Sequence, residues 1–149
     1  MRLKTAFIAG ITGVTLAATA YGGAHSPVEQ RIAAMKAIGG QMRTLGGMAQ
    51  GQVAYDELTA ISALEIMRDA AVAAVPLFAD AGNSGEETRA KAEIWADGSD
   101  FDARLDQLVA NLEAAVAAEP ADAAAFGPLF GSVAGTCKGC HENYRAPEN

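Results

Sequence analysis

The chain has 149 residues, 18 acidic against 11 basic for a net charge of −7, and half of its residues are hydrophobic. That length and apolar content suit one domain with a real core, and the acidic balance excludes a nucleic-acid footprint, which needs a basic face. No phosphate-binding glycine loop, dinucleotide fingerprint, H-E-x-x-H or G-x-S-x-G motif occurs, so nucleotide and hydrolase chemistry have no carrier.

The first 24 residues stand apart. Arg2 and Lys4 precede the apolar run "TAFIAGITGVTLAATA", and small-x-small sites end at Ala20 and Ala24. This is the layout of a secretory signal peptide, with cleavage after Ala20 or after Ala24. The run is shorter than the roughly 20 residues a spanning helix needs, and no basic stop-transfer cluster follows. The expectation is an exported, soluble, periplasmic protein without a membrane anchor, folded from residues 25–149. With Arg2 and Lys4 removed, the acidic excess grows by two charges. Such a surface is compatible with steering a basic partner, although it also serves simply as solvated surface.

Helical periodicity then runs almost to the end. Ser26, Pro27 and Glu29 form an N-cap, first-turn proline and capping box. Val28, Ile32, Met35, Ile38, Met42, Leu45 and Met48 follow at intervals of three and four, until "GQVAYD" breaks the pattern. A second helix is expected from Asp56 to about Ala79, with Leu58, Ile61, Leu64, Met67, Ala71, Val75 and Phe78 on the core side. Pro76 should kink or end it near its last turn. The long connection that follows has room for one helical turn around Ile94 and Trp95. Ser99 and Asp102 signal a third N-terminus, and Phe101, Leu105, Leu108, Leu112 and Val116 draw its stripe up to Glu119-Pro120. A fourth helix spans Asp122 to about Arg145, its start delayed by a turn at Gly127-Pro128. Four amphipathic helices and no period-two segment predict an all-α, antiparallel four-helix bundle.

Within the fourth helix lies "GTCKGCHENYR", which holds both cysteines of the chain and one of its two histidines. Cys137, Cys140 and His141 stand at i, i+3 and i+4, so all three project from one side of a helix. A zinc site would need further ligands, and His25 is the only other histidine. A redox C-x-x-C would sit beside a βαβ unit at a helix N-terminus, where the thiol pKa falls, and here the pair lies near a C-terminus. C-x-x-C-H in an exported protein points instead to covalent haem c, with a thioether from each cysteine and His141 as proximal iron ligand.

The placement of that motif at the C-terminal end of a four-helix pattern resembles the class II c-type cytochromes, the group that contains cytochrome c′. "RIAAMKAIGGQMRTLGGMAQG" and "AEIWADGSDF" support the resemblance, which covers essentially all of residues 25–149. It implies two alternatives. In one branch a methionine of the first helix closes the sixth coordination position, and the protein transfers electrons to and from redox partner proteins. In the other, the iron is five-coordinate and binds NO or CO. Met35 falls at the family's distal position, and "MKAIGG" is similar to the methionine-ligated branch. Periodicity alone does not choose among Met35, Met42, Met48 and Met67. The resemblance also puts Arg31 near a haem propionate and Arg145 beside the proximal histidine, and it implies that the protein can form a homodimer. Neither branch calls for a catalytic acid or base, so no enzyme is expected. Trp95 is expected to pack against the bundle and His25 to be exposed.

Overall fold

The computed structural model describes residues 25–81 and 88–147; the expected signal segment and its cleavage sites lie outside them. Helix α1 spans Pro27–Ala49, α2 Glu57–Ala74, α3 Phe101–Ala117 and α4 Ala123–Tyr144. Two 3-10 turns, Val75–Phe78 and Ala92–Trp95, belong to the connection between α2 and α3. Among the described residues the one extended pairing is an isolated antiparallel bridge between Ala90 and Arg145.

The helix ends follow local chemistry. Ser26 accepts from the Glu29 N–H while the Glu29 carboxylate accepts from the Ser26 N–H, the reciprocal box expected for α1. At the other end Gly51 takes a positive φ of 68°, which ends the helix where a side chain would be strained. Asp56 caps α2 through the Thr59 N–H at 2.8 Å, and α2 gives way to a 3-10 turn at Val75, next to Pro76 as expected.

Two expectations are corrected at helix starts. Ser99 does not cap α3 in the usual manner. Asp100 occupies the cap position and turns its carboxylate to Arg104 and Tyr144, leaving Ser99 Oγ to accept from the Phe101 N–H at 3.2 Å. Nor does Pro128 delay α4, which begins at Ala123 and carries Pro128 inside it. Asp122 caps the first turn through the Ala125 N–H at 2.8 Å, and Phe126, fully buried, stacks between Tyr55 and Phe130. These contacts offset the missing hydrogen bond, and Gly127 presents no Cβ to clash with the proline ring.

Long-range contacts set the topology. Tyr55, after α1, donates its hydroxyl to the Pro120 carbonyl, before α4, so both short connections lie at one end of the bundle. At the opposite end, Arg31 in the first turns of α1 reaches Asp80 and Ala81, and Lys91 pairs with Tyr144. The four helices are therefore alternately antiparallel, as expected. Leu45, Leu64, Met67, Leu112, Phe126 and Val133 are fully buried, and the core they form draws on every helix. Helix α2 is rotated from the expected stripe. Its core side is Ala60, Ala63, Leu64, Met67, Ala71 and Ala74, while Leu58 is 80% exposed and Val75 39%. Small alanines allow close approach to α1 and α3, and the larger side chains are displaced outward.

Candidate haem site

Cys137, Cys140 and His141 all lie on α4 and all are half-buried. Both cysteines pack against the core cluster, and neither is in a disulfide. Burial raises both thiol pKa values above the ordinary range, so the thiols stay protonated; for Cys137 the neighbouring Cys140 adds to the effect. His141 moves the other way. Burial, then the positive charges of Arg145 and Arg89, lower its pKa and favour the neutral imidazole, which is the form that ligates a metal. Among the described residues no group of three or more His, Cys, Asp or Glu converges as a bare-ion site. Two thiols one turn apart and an adjacent imidazole instead suit a large flat group attached at two points and ligated from one side.

Helix α1 also packs against α4. A Cβ placed on Gly46 would lie 3.8 Å from the Phe130 ring, which fixes the level of α1 against α4 near the short-connection end. Both helices rise about 1.5 Å per residue in opposite directions. Counting eleven residues back along α1 and eleven forward along α4, Met35 comes level with His141, to within about one turn. Met35 is half-buried and packs against the core, as does Met42. Met48 and Met67, the other two candidates, are 7% and 0% exposed within the core cluster, Met67 on α2 rather than α1. Beside Met35, a Cβ built on Gly39 or Gly40 would meet nothing within 4 Å. The donor set of α4, two thiols and a neutral imidazole on one helix face, fits a haem.

The two arginines have distinct surroundings. Arg31 is 4% exposed. Its guanidinium donates to the carbonyls of Pro27, Asp80 and Ala81, and lies 5.3 Å from the ring centres of both Phe78 and Trp95. Trp95 in turn donates its indole N–H to the Phe78 carbonyl at 2.9 Å, so its expected packing role is fulfilled around a buried cation. Arg145 is exposed, just past the end of α4, with its N–H on the His141 carbonyl at 3.3 Å. It is close enough for its charge to act on the His141 imidazole.

Sequence reasoning did not single out the anchor of this helix end. Tyr144, one turn beyond His141, is 9% exposed, packs edge-on against Phe101, and donates its hydroxyl to the Asp100 carboxylate. That hydroxyl also accepts from Ser99 Oγ and the Asp100 N–H. The returning connection holds the chain beyond it, with Lys91 N–H on the Tyr144 carbonyl at 3.0 Å and Ala146 N–H on the Arg89 carbonyl at 2.8 Å. The only sequence signal was Tyr144's place on the apolar stripe of α4. His25 is exposed, as expected, with Nδ1 3.3 Å from Glu29.

A family model described as Cytochrome C′ matches residues 26–145. Cytochrome c-556 of Agrobacterium tumefaciens (strain apple 185) is 36% identical over 126 residues, covering 83% of this chain and 95% of the relative. The structure of cytochrome c′ from Rhodopseudomonas palustris superposes with a TM-score of 0.75 at 29% identity, over 84% of this chain and 99% of that one. A nitric oxide complex of a variant cytochrome c′ from Alcaligenes xylosoxidans gives 0.69 at 25% identity, over 81% and 94%. The C-x-x-C-H face, the bundle around it and the match across all four helices agree: this chain belongs to the cytochrome c′ family, whose members carry covalently attached haem c.

Proposed function

We propose that the protein is an exported electron carrier whose haem iron is ligated by His141 and Met35. The observation that supports this reading is the antiparallel run of α1 and α4, along which a count of helical rise from Gly46 and Phe130 puts residues 35 and 141 at similar heights, to within about a turn. When bound, haem c supplies an iron centre that takes up and releases one electron. The chain's own residues do the rest. Cys137 and Cys140 hold the macrocycle to a rigid helix, and His141 is kept neutral by burial and two arginines. With Met35 as second protein ligand beside His141, the thioether would favour the reduced metal and raise its potential. No catalytic acid or base is required, so the protein is not an enzyme. Export to the periplasm follows from the signal-like residues 2–24, and the acidic surface favours a basic redox partner.

The nitric oxide complex of the Alcaligenes relative favours a second reading, in which Met35 only crowds the distal face and the site takes NO or CO. Optical spectra of the haem-loaded protein, oxidised and reduced, with and without CO, separate the two. Sharp low-spin bands that CO does not move, and that Met35→Ala abolishes, are expected. High-spin bands that shift on adding CO to the unaltered protein would replace the electron carrier with a gas-binding site.

A further inference from the structure

An ion pair at the start of α3 lies against the attachment motif without belonging to it. The Asp100 carboxylate accepts from Arg104, one turn on, at 2.8 Å from Nε and 2.7 Å from Nη2. The remaining nitrogen of that guanidinium, Nη1, reaches α4. A Cβ built on Gly139 would lie 3.3 Å from it, closer than ordinary van der Waals contact. Gly139 is the residue just before Cys140 in C-K-G-C-H, and its missing side chain leaves room for the cation beside the helix.

The pair is held from both helices. The second carboxylate oxygen of Asp100 accepts from the Tyr144 hydroxyl of α4, so the anion is fixed there and the two hydrogen bonds from Arg104 fix the cation to it. Both charges reach Cys140. Burial is the main influence on that thiol; after it comes Arg104, which lowers its pKa, and then Asp100, which raises it. The motif's own cation is placed differently. The Lys138 side chain is 79% exposed and 3.8 Å from Glu142, so solvent screens it, whereas the Arg104 side chain is 34% exposed.

We propose that Arg104 and Asp100 tune the electron affinity of the haem iron from the Cys140 side, Arg104 raising the midpoint potential and Asp100 lowering it. One electron converts ferric to ferrous iron and adds a negative charge beside Cys140. A fixed cation there stabilises the reduced state, and a fixed anion stabilises the oxidised one. Asp100 therefore holds the guanidinium in place while opposing its field, and the potential depends on both. This rests on haem attachment at Cys137 and Cys140 alone, and it holds whichever group fills the sixth coordination position.

Redox titration of the haem-loaded protein tests this, with a small-molecule mediator supplying the electron, the visible spectrum reporting the iron and urea denaturation reporting the fold. Arg104→Gln should shift the midpoint potential down. Asp100→Asn, which keeps an oxygen for the Tyr144 hydroxyl, should shift it up. Arg104→Lys, which keeps the charge, should stay nearer the unaltered protein than Arg104→Gln does. A pair with a merely structural role would behave otherwise. Loosening the contact of α3 with α4 admits water to the same side of the site in either variant, and both potentials would then move in one direction. Shifts of the same sign overturn the inference. So does either single replacement without a shift, or an Arg104→Lys potential that falls as far as that of Arg104→Gln.

Discussion

Arg31 holds its charge at 4% exposure, and its surroundings are arranged for that charge. Three backbone carbonyls accept from it, and two aromatic rings lie 5.3 Å away. Replacing it with leucine leaves those acceptors without their donor and removes the cation–π contacts, a loss of about 3 kcal/mol. Arg31→Lys, which keeps the charge without the planar fork, should lose less. Urea denaturation checks the order, and the emission of Trp95, the chain's one tryptophan, reports the site directly. Arg31 drew attention beforehand only through the family resemblance, which puts it near a haem propionate. It did not reveal the rings, since Phe78 and Trp95 are separated from it by dozens of positions and converge only once the connection folds back. For Cys137, Cys140 and His141 the reverse holds. Their relation is internal to one helix turn, so spacing alone was enough to place them on one face.

At the scale of elements, the connection between α2 and α3 acts on both sides of the site. Its first part is fastened to α1 by Arg31, and its last part holds the end of α4 through Lys91, Arg89, Ser99 and Asp100. The Asp100 carboxyl is the titrating group of this fastening. Hydrogen bonds from Arg104 and then Tyr144 hold its pKa down, from 3.8 to about 2. A carboxyl whose folded pKa is depressed contributes stability that is fully present above its unfolded pKa and is lost as pH falls through the folded one. Asp100→Asn should therefore remove part of the acid-induced loss of stability between about pH 4 and pH 2, while lowering stability at neutral pH. Thermal melts of both proteins across that range provide the check. The helices themselves were legible beforehand because caps and apolar periodicity are local. Pro128 misled because its local penalty is real, and Phe126 overrides it only through Tyr55 and Phe130, one of them on a different element.

For the whole molecule, Cys137, Cys140 and His141 are half-buried toward the C-terminal end of α4, and on α1 Gly39 and Gly40 have open space about their backbone. The helices meet firmly at the other end, where Gly46 approaches Phe130 and Tyr55 reaches Pro120. Preventing haem attachment with Cys137→Ser and Cys140→Ser should therefore lower the melting temperature and blur tertiary packing near Met35 and Trp95 first. The buried cluster of Leu45, Leu64, Leu112 and Phe126 should keep much of the helix content. Near- and far-ultraviolet circular dichroism of the loaded and haem-free proteins separates the two signals, and simultaneous loss of both would show one indivisible unit.

The sequence by itself determined the four helices, most of their ends, and the C-x-x-C-H face, because each depends on residues within a turn or two of one another. Only the tertiary structure decided which side of α2 is core, how Arg31 is enclosed, and which residue anchors the end of the haem helix. Alanine packs inward as readily as leucine when neighbouring helices come close, so a hydrophobic stripe on α2 had two solutions of similar local merit. The contacts of α1 and α3 chose between them, and in choosing left Leu58, Val72 and Val75 turned toward solvent.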